Sequence, residues 1–486
     1  MRNLLEQTLL RQLELVEILH ISGAMKIETL AEQLQLSGKT VAKDLTDVRS
    51  FITPAEIVNN SQGLYSLYIP ESCSIDYLYA MFLFQSTRIS LLETIFFEEN
   101  LSYRELSEKL FLSESTLKRT IASMNDVLIE YDIQIATRPF RLTGNEPAIE
   151  NLFIILFTEK YRIPSKAFPA GKQAVTEQML RYWMNQNQIE LNYPDLNKII
   201  LWMLVALHRK RSEFSPETVN PNVVTGAESL ELYDREIQSA FHINFKMAPD
   251  NEKLWKSIQQ IFKNGYVLRY DLLEKACEDF LPNRETLECT RAILDFVSAE
   301  LDVPVQNYEK LTIDLFNLIN LARNLKLSQF ILNNKRKRFF LDSTEPEKAL
   351  FFVLVKALKE IQIKDYQWKE SDIYELFYIL TTHWSNLLPA LRERVVKCRV
   401  GLFFDTDIEH AQYIKRLLLL RYSDQVDVSI ISALSLIEFQ KKVQDFDLVI
   451  TNLTQNTPVF PKILCISPMP TNEDWFRIRR RIREIR

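Results

Sequence analysis

Residues 30–45, LAEQLQLSGKTVAKDL, return 76 positions later as residues 106–121, LSEKLFLSESTLKRTI. An internal repeat constrains a fold more than any single element, because both copies must bury the same face. The apolar positions are kept as Leu30/Leu106, Leu34/Leu110, Leu36/Leu112, Val41/Leu117 and Leu45/Ile121, and the polar ones as Ser37/Ser113 and Thr40/Thr116. Their spacing predicts two helices per copy, the first ending near Leu34 or Leu110. Ser37 and Ser113 stand where a hydroxyl can accept from the orphan N–H groups of the second helix. Ala31 and Ser107 supply a small residue where the helices would cross. Each copy is followed by an alternating stretch, residues 57–68 with a turn at 59–63 and residues 133–142 with a turn near 137–139, which reads as a hairpin. Plain helical hairpins in a larger helical protein would account for the helix pairs, but not for a β-hairpin after each. Helix–turn–helix followed by hairpin is a winged helix, and two in tandem fill residues 1 to about 150.

The rest of the chain reads with a helical period, apart from a change of character at residue 395. A second, weaker repeat has an offset of 115: NYPDLNKIILWMLVALH at 192–208 and NYEKLTIDLFNLINLAR at 307–323. It predicts two all-helical modules. Pro164, Pro169 and Gly171 punctuate the entry to the first, Pro282 lies near the join, and Pro389 near the exit. From Arg399 onward strands and helices alternate: strand 399–404, helix 408–420, strand 426–431, helix 434–443, strands 447–451 and 463–466. That order predicts a parallel or mixed α/β sheet. At ~150 residues per domain, 486 residues allow three domains, or four to five small ones. The expected fold is mainly α and multidomain, with boundaries at 1–70, 71–165, 166–285, 286–392 and 393–486.

Several functions are excluded early. Only 8 residues are Gly, and none are spaced as G-x-G or G-x-x-x-x-G-K, so a Rossmann or P-loop nucleotide site has no backbone cradle. The five cysteines lie at least twelve apart and the five histidines include no H-x-x-x-H pair, which gives no support to a metal. No cofactor is expected. An odd, sparse cysteine count suits a reducing cytoplasm. Residues 1–17 read as an amphipathic helix, not a signal peptide, and runs such as 350–355 are far too short to span a bilayer.

Two helix–turn–helix units, two helical modules and an α/β tail together resemble the Mga/AtxA-type transcriptional regulators, over the whole chain in order and length. The most specific pieces are residues 30–45, 106–121 and Leu142-Thr-Gly-Asn-Glu146 after the second hairpin; the tail rests on its α/β order and on residues 447–452. The resemblance implies a cytoplasmic DNA-binding regulator of the virulence-regulator kind. It also implies two regulation modules phosphorylated on histidine by phosphocarrier proteins of the sugar phosphotransferase system, a tail like the IIB component, and a homodimer joined through the regulation and C-terminal domains.

On that reading each second helix enters the major groove with its N-terminal residues at the base edges. The expected DNA-facing residues are Lys39, Thr40 and Lys43 in the first unit and Ser115, Thr116, Lys118 and Arg119 in the second, with Arg138 and Arg141 flanking the second hairpin. Charge runs the other way. The chain carries a net −5, and residues 1–150 hold 13 basic and 21 acidic residues, a difference of −8. Phosphate contacts need local cations, and the bases are grouped at 113–120 and 138–141.

His208 and His383, one per helical module, follow apolar helical faces, and their spacing alone reads as helix-end or core packing. The family resemblance makes them the two candidate phosphoryl acceptors. The repeat sets Arg323 opposite His208 and Leu268 opposite His383, so neither is duplicated; His242 reads as core. Arg209, Lys210 and Arg211 could draw in a partner helix if His208 carried a phosphate, which would add about −1.5 to −2 charge. A working IIB module needs a Cys directly after its first strand. Here Asp405-Thr-Asp407 follows the strand, and Cys398 precedes it, so no catalytic residue and no enzyme activity are expected. The basic runs 335–338 and 477–486 read as solvated or ion-paired helix faces. The competing readings are a protein scaffold that does not touch DNA, kept alive by the acidic excess, and a phosphotransferase-system component.

Overall fold

The computed structural model describes residues 1–98, 100–161, 163–187, 190–210, 235–246, 267–278, 281–324, 329–394, 397–423, 425–454 and 462–485. Both halves of the first repeat fold as its spacing dictates. The first comprises α1 (Gln7–Ser22), β1 (Met25–Lys26), α2 (Ile27–Leu34), α3 (Gly38–Arg49), β2 (Glu56–Asn59) and β3 (Leu64–Tyr68). After α4 (Ile75–Gln85) the second follows as α5 (Thr87–Phe97), α6 (Tyr103–Leu110), α7 (Glu114–Leu128), β4 (Ile133–Thr137) and β5 (Phe140–Gly144). The first wing is a three-stranded sheet in the order β1-β3-β2, the second a two-stranded hairpin, and all pairings are antiparallel.

The same physics builds both turns. Gln35 and Phe111, 76 positions apart, each take a left-handed conformation with φ of +55° and +54°. The chain then closes with Leu36 N–H on Ala31 O (2.9 Å) and Leu112 N–H on Ser107 O (3.0 Å), satisfying carbonyls that a helix end leaves open. Leu30, Val41, Leu45, Leu106, Leu117 and Ile121 are buried, as are the small crossing residues Ala31 and Ser107. Gly144 ends the second wing at φ +125°, where an added Cβ would lie 2.0 Å from Asp132 O, so no other residue fits without moving that backbone.

Helices α8 (Glu146–Lys160), α9 (Ala170–Asn187), α10 (Tyr193–Lys210) and α11 (Arg235–Phe245) come next. Residues 199–207 of α10 are all buried, the mark of a core helix apolar on every side. Then come α12 (Tyr270–Glu278), α13 (Leu281–Leu301), α14 (Tyr308–Asn324), α15 (Lys335–Asp342), α16 (Glu345–Glu360), α17 (Glu370–His383) and α18 (Leu387–Glu393). The two copies of the weaker repeat are α10 and α14. Ile331 and Leu332 are fully buried in the apolar core of residues 4–245.

The chain divides into two compact units. One comprises residues 1–296, 307–342 and 354–380; the other comprises 297–306, 343–353 and 381–486. In the second, β6 (Cys398–Phe403), β7 (Val426–Ile430), β8 (Leu448–Thr451) and β9 (Ile463–Cys465) form a fully parallel sheet in the order β7-β6-β8-β9. Helices α19 (Ile408–Tyr422) and α21 (Asn472–Ile485) share one core with it through Ile414, Leu418, Ile478 and Ile482. Helix α20 (Leu436–Lys442) buries Phe439 against Phe403 in a separate cluster. The architecture is mainly α and multidomain. Among the described residues no helix is long and apolar enough to cross a membrane.

Candidate nucleic-acid interface

Helices α3 and α7 start alike. Ser37 Oγ accepts from Thr40 N–H (3.2 Å) and Ser113 Oγ from Thr116 N–H (3.1 Å), and each serine hydroxyl also bonds the threonine hydroxyl at 2.8 Å. Thr40 and Thr116 are half-buried, with amide and hydroxyl both engaged by the capping serines, which leaves their neighbours to face outward. Lys39, Lys43, Ser115, Lys118 and Arg119 are exposed along the first turns. The Lys118 ammonium lies 5.2 Å above the Tyr103 ring, a cation–π contact that aligns it without neutralising it. Arg138 is exposed at the tip of the second hairpin, whereas Arg141 is half-buried in β5 and does not reach the tip.

Equivalent positions clamp the two helices by different chemistry. In the first unit Arg11 makes a bidentate pair with Asp44 (2.6 and 2.8 Å), and Gln12 reaches Asp44 and Asp47. Asp44 is 1% exposed, a carboxylate buried on the inner side of α3. Gln12 and Asp47 correspond to Arg88 and Ser123, and there the guanidinium donates to the hydroxyl at 2.9 Å. Position 49/125 anchors each wing: Arg49 Nε donates to Ile57 O (2.8 Å), while Asn125 both accepts from Ile135 N–H (2.8 Å) and donates to its carbonyl (3.2 Å). Sequence reasoning missed these positions. The offset of 76 reaches them, but their identities change between copies, so only the geometry reveals the shared role.

Part of the acidic excess is taken up by pairing. Asp44, Glu17, Glu93 and Glu146 pair with Arg11, Arg2, Lys160 and Arg209; Glu98 and Glu108 pair with Lys109 and Arg104. Glu105 closes a capping box on Ser102, whose amide holds its carboxyl below the usual range. Glu159 accepts from Ile331 and Leu332 N–H, and burial pushes its carboxyl up. Among the described residues Lys39, Lys43, Lys118, Arg119 and Arg138 form no ion pair. Other acids, among them Glu14, Glu28, Glu32, Glu56, Glu71, Asp126, Glu130 and Glu114 on the first turn of α7, are exposed without an ion pair among the described residues, while the unpaired cations include Lys26 on β1 and cluster on the second helices and one wing tip.

The regulation candidates differ from each other. His208, half-buried at the end of α10, bonds Phe96 O through Nε2 (2.8 Å) and sits among the rings of Phe96, Phe97 and Phe168 at centroid distances of 4.7, 5.3 and 6.2 Å. Arg209, expected to be available to a phosphate, is 5% exposed and already held by Glu146 (2.6 and 2.8 Å) and Leu142 O (3.2 Å). Lys210 ends α10, and Arg211 lies outside the described residues. His383, half-buried, closes α17 beside buried Trp384. Arg323, the counterpart of His208, ties α14 to Glu285 and Pro282 O. His242 is exposed, against expectation, because Phe241 and Phe245 take the core positions of α11. The Leu142–Glu146 motif thus has three jobs: Gly144 ends the wing, Asn145 caps α8 through Ala148 N–H (3.0 Å), and Glu146 holds Arg209.

In the tail, Cys398 is buried at the start of β6, away from the loop after it. That loop is pinned by Asn452 Oδ1 accepting from Asp405 N–H (3.1 Å). Asp407 caps α19, and His410 bonds Thr406 and Pro468 O, each at 2.7 Å. Three of the four bases in the run 335–338 are ion-paired: Lys335 with Asp76, Arg336 with Glu375 and Lys337 with Glu370. Arg477, Arg480 and Arg481 pair with Asp474 and Glu484 on their own helix.

Residues 71–157 match the model of the Mga helix-turn-helix domain. The chain is 22% identical over 463 residues to a putative trans-acting regulator of Streptococcus pneumoniae serotype 4, covering 93% of both chains. It is 21% identical over 505 residues to the capsule synthesis positive regulator AcpB of Bacillus anthracis, covering 98% of both. A third relative, the capsule synthesis positive regulator AcpA of Bacillus anthracis, is 19% identical over 42% of this chain and 43% of its own.

Proposed function

Because this chain is a DNA-binding transcriptional regulator of the Mga/AtxA type, we propose that it grips duplex DNA with both winged units and is tuned by phosphorylation of His208 and His383. The observation that carries the DNA half is the distribution of charge. In an acidic region, exposed cations without an ion pair cluster at the N-terminal turns of α3 and α7, with one more at a wing tip. The contact residues are Lys39 and Lys43 on α3, Ser115, Lys118 and Arg119 on α7, and Arg138 on the wing. Thr40, Thr116 and Arg141 support them. Neutralising ~4 phosphates per binding unit gives a slope of about −3.6 in log K against log salt. A gel-shift titration on promoter duplexes at several salt concentrations tests this. Salt-independent or absent binding by folded protein would instead support the scaffold reading.

The regulatory half rests on His208. Its ring joins α10 to the end of α5 through Phe96 O and a box of phenylalanines. A phosphoryl group there would carry charge into apolar surroundings, where Arg209 is already held by Glu146, so the modification would loosen the second winged unit from α10. Phosphocarrier proteins of the sugar phosphotransferase system are the donors in this reading. The test is incubation with phosphoenolpyruvate and the two general phosphotransferase proteins, followed by mass spectrometry of wild type, His208→Ala and His383→Ala. Incorporation that persists in both single variants and in their double would send the search to other residues. We also propose a homodimer through the regulation and C-terminal domains, which light scattering checks. The tail acts as structure and not as an enzyme in this reading, since Asp405 to Asp407 stand where a phosphorylatable Cys would be needed.

A further inference from the structure

The segment Arg2 to Glu6 lies between the two winged units. Arg2 makes a bidentate pair with Glu17 of α1 (2.9 and 2.6 Å), and Tyr79 OH of α4 donates to the same carboxylate at 2.5 Å. Leu4 and Leu5 are fully buried in the shared core. Glu6 then reaches the second unit, where its carboxylate accepts from Ser86 Oγ (2.7 Å) and from Arg88 N–H (3.0 Å) at the start of α5. The Arg88 guanidinium answers by donating to Asn3 O and Leu5 O (3.3 Å each) and to Ser123 Oγ on α7 (2.9 Å). A continuous chain of contacts therefore runs from α3 through Asp44 and Arg11 to α1, through Glu17 and Arg2 to this segment, and through Arg88 to α7.

We infer that Glu6 and Arg88 are positioning residues that fix the separation of the two DNA-reading helices, and so determine the spacing of the two half-sites the protein accepts. The inference rests on both units reading one duplex. The physical argument is helical phase. One added base pair rotates a half-site by about 34° around the duplex axis, and a joint held by charge-assisted bonds over a buried apolar pair cannot follow such a rotation without breaking contacts. A looser joint follows it and loses spacing discrimination, while each helix keeps its own base contacts.

The test is selection of full-length protein on a pool of duplexes with a long random centre, followed by sequencing. Wild type enriches two half-motifs at one separation, and a one-base-pair insertion lowers affinity about tenfold, the scale of one mismatched base pair. Arg88→Ala and Glu6→Gln retain both half-motifs and the salt slope but accept several separations, and the insertion penalty falls to less than about threefold. Arg88→Lys, which keeps the charge but fewer donors, gives an intermediate profile; Ser123→Ala, which removes only the tie to α7, widens the spacing least and serves if the other variants fail to fold. An equally sharp separation in all folded variants overturns the inference, as does a wild-type pool with one half-motif or with variable spacing. No enrichment by folded wild type is a different failure, that of the DNA reading itself.

Discussion

The two winged units share a backbone plan and differ in their wiring. In the first, α3 is clamped by Arg11 and Gln12 from its own α1, and the β2–β3 hairpin carries no Lys or Arg. The second is connected outward. Arg88 joins α7 to the segment before α1, Glu146 at the end of the wing holds Arg209 of α10, and Phe96 O binds His208. Its wing carries Arg138. The difference teaches that the repeat sets two winged units on one scaffold, and that, among the described residues, the second is the one coupled through buried polar contacts to a helix bearing a candidate phosphoryl acceptor. Under the proposed regulation, a change at α10 would act on the second unit first.

The largest expected effect breaks that outward wiring. Glu146→Ala leaves Arg209 buried without its carboxylate and should lower stability by about 3–5 kcal/mol, read as a shift in the urea midpoint. Asp44→Ala does the parallel damage inside the first unit. Because Arg11 is one-third exposed and can turn to solvent, the loss should be smaller, about 2–3 kcal/mol. An equal or larger loss for Asp44→Ala would remove the contrast between the units.

How much of this was legible in the sequence depends on what each residue does. The helix pairs, their serine caps, both hairpins and the order of the tail follow from periodicity and from side chains that act on their own backbone, and those signals are local. Ser37 and Ser113 cap as their spacing requires. The wiring is not local. Arg88 is a lone base in an acidic stretch, and its three acceptors lie 35 to 85 positions away. Arg209, among basic neighbours, reads as available to a phosphate, but its partner Glu146 sits 63 positions back. His242 reads as core from its apolar neighbours, but it is exposed and Ile243 beside it is 73% exposed, because the helix turns Phe241 and Phe245 to the core instead.

Smaller effects sharpen the comparison. Asn125→Ala frees both backbone groups of Ile135 and should cost about 1–2 kcal/mol, against less than about 1 kcal/mol for Arg49→Ala, whose single bond is at a more exposed site. Denaturation of the two variants side by side checks the order. Arg138→Ala should reduce the salt slope of DNA binding by about 0.9, one phosphate, with no loss of stability, while Gln62→Ala at the first wing leaves the slope unchanged.

The central claim is that both second helices touch the duplex. Its most direct test is the salt dependence of binding by wild type, by Lys39→Ala with Lys43→Ala, and by Lys118→Ala with Arg119→Ala, each confirmed as folded. The account predicts that each pair of substitutions lowers the slope by about 1.8, two phosphates apiece. A slope unchanged by the first pair would leave the first unit off the DNA, and a slope unchanged by both would contradict the account.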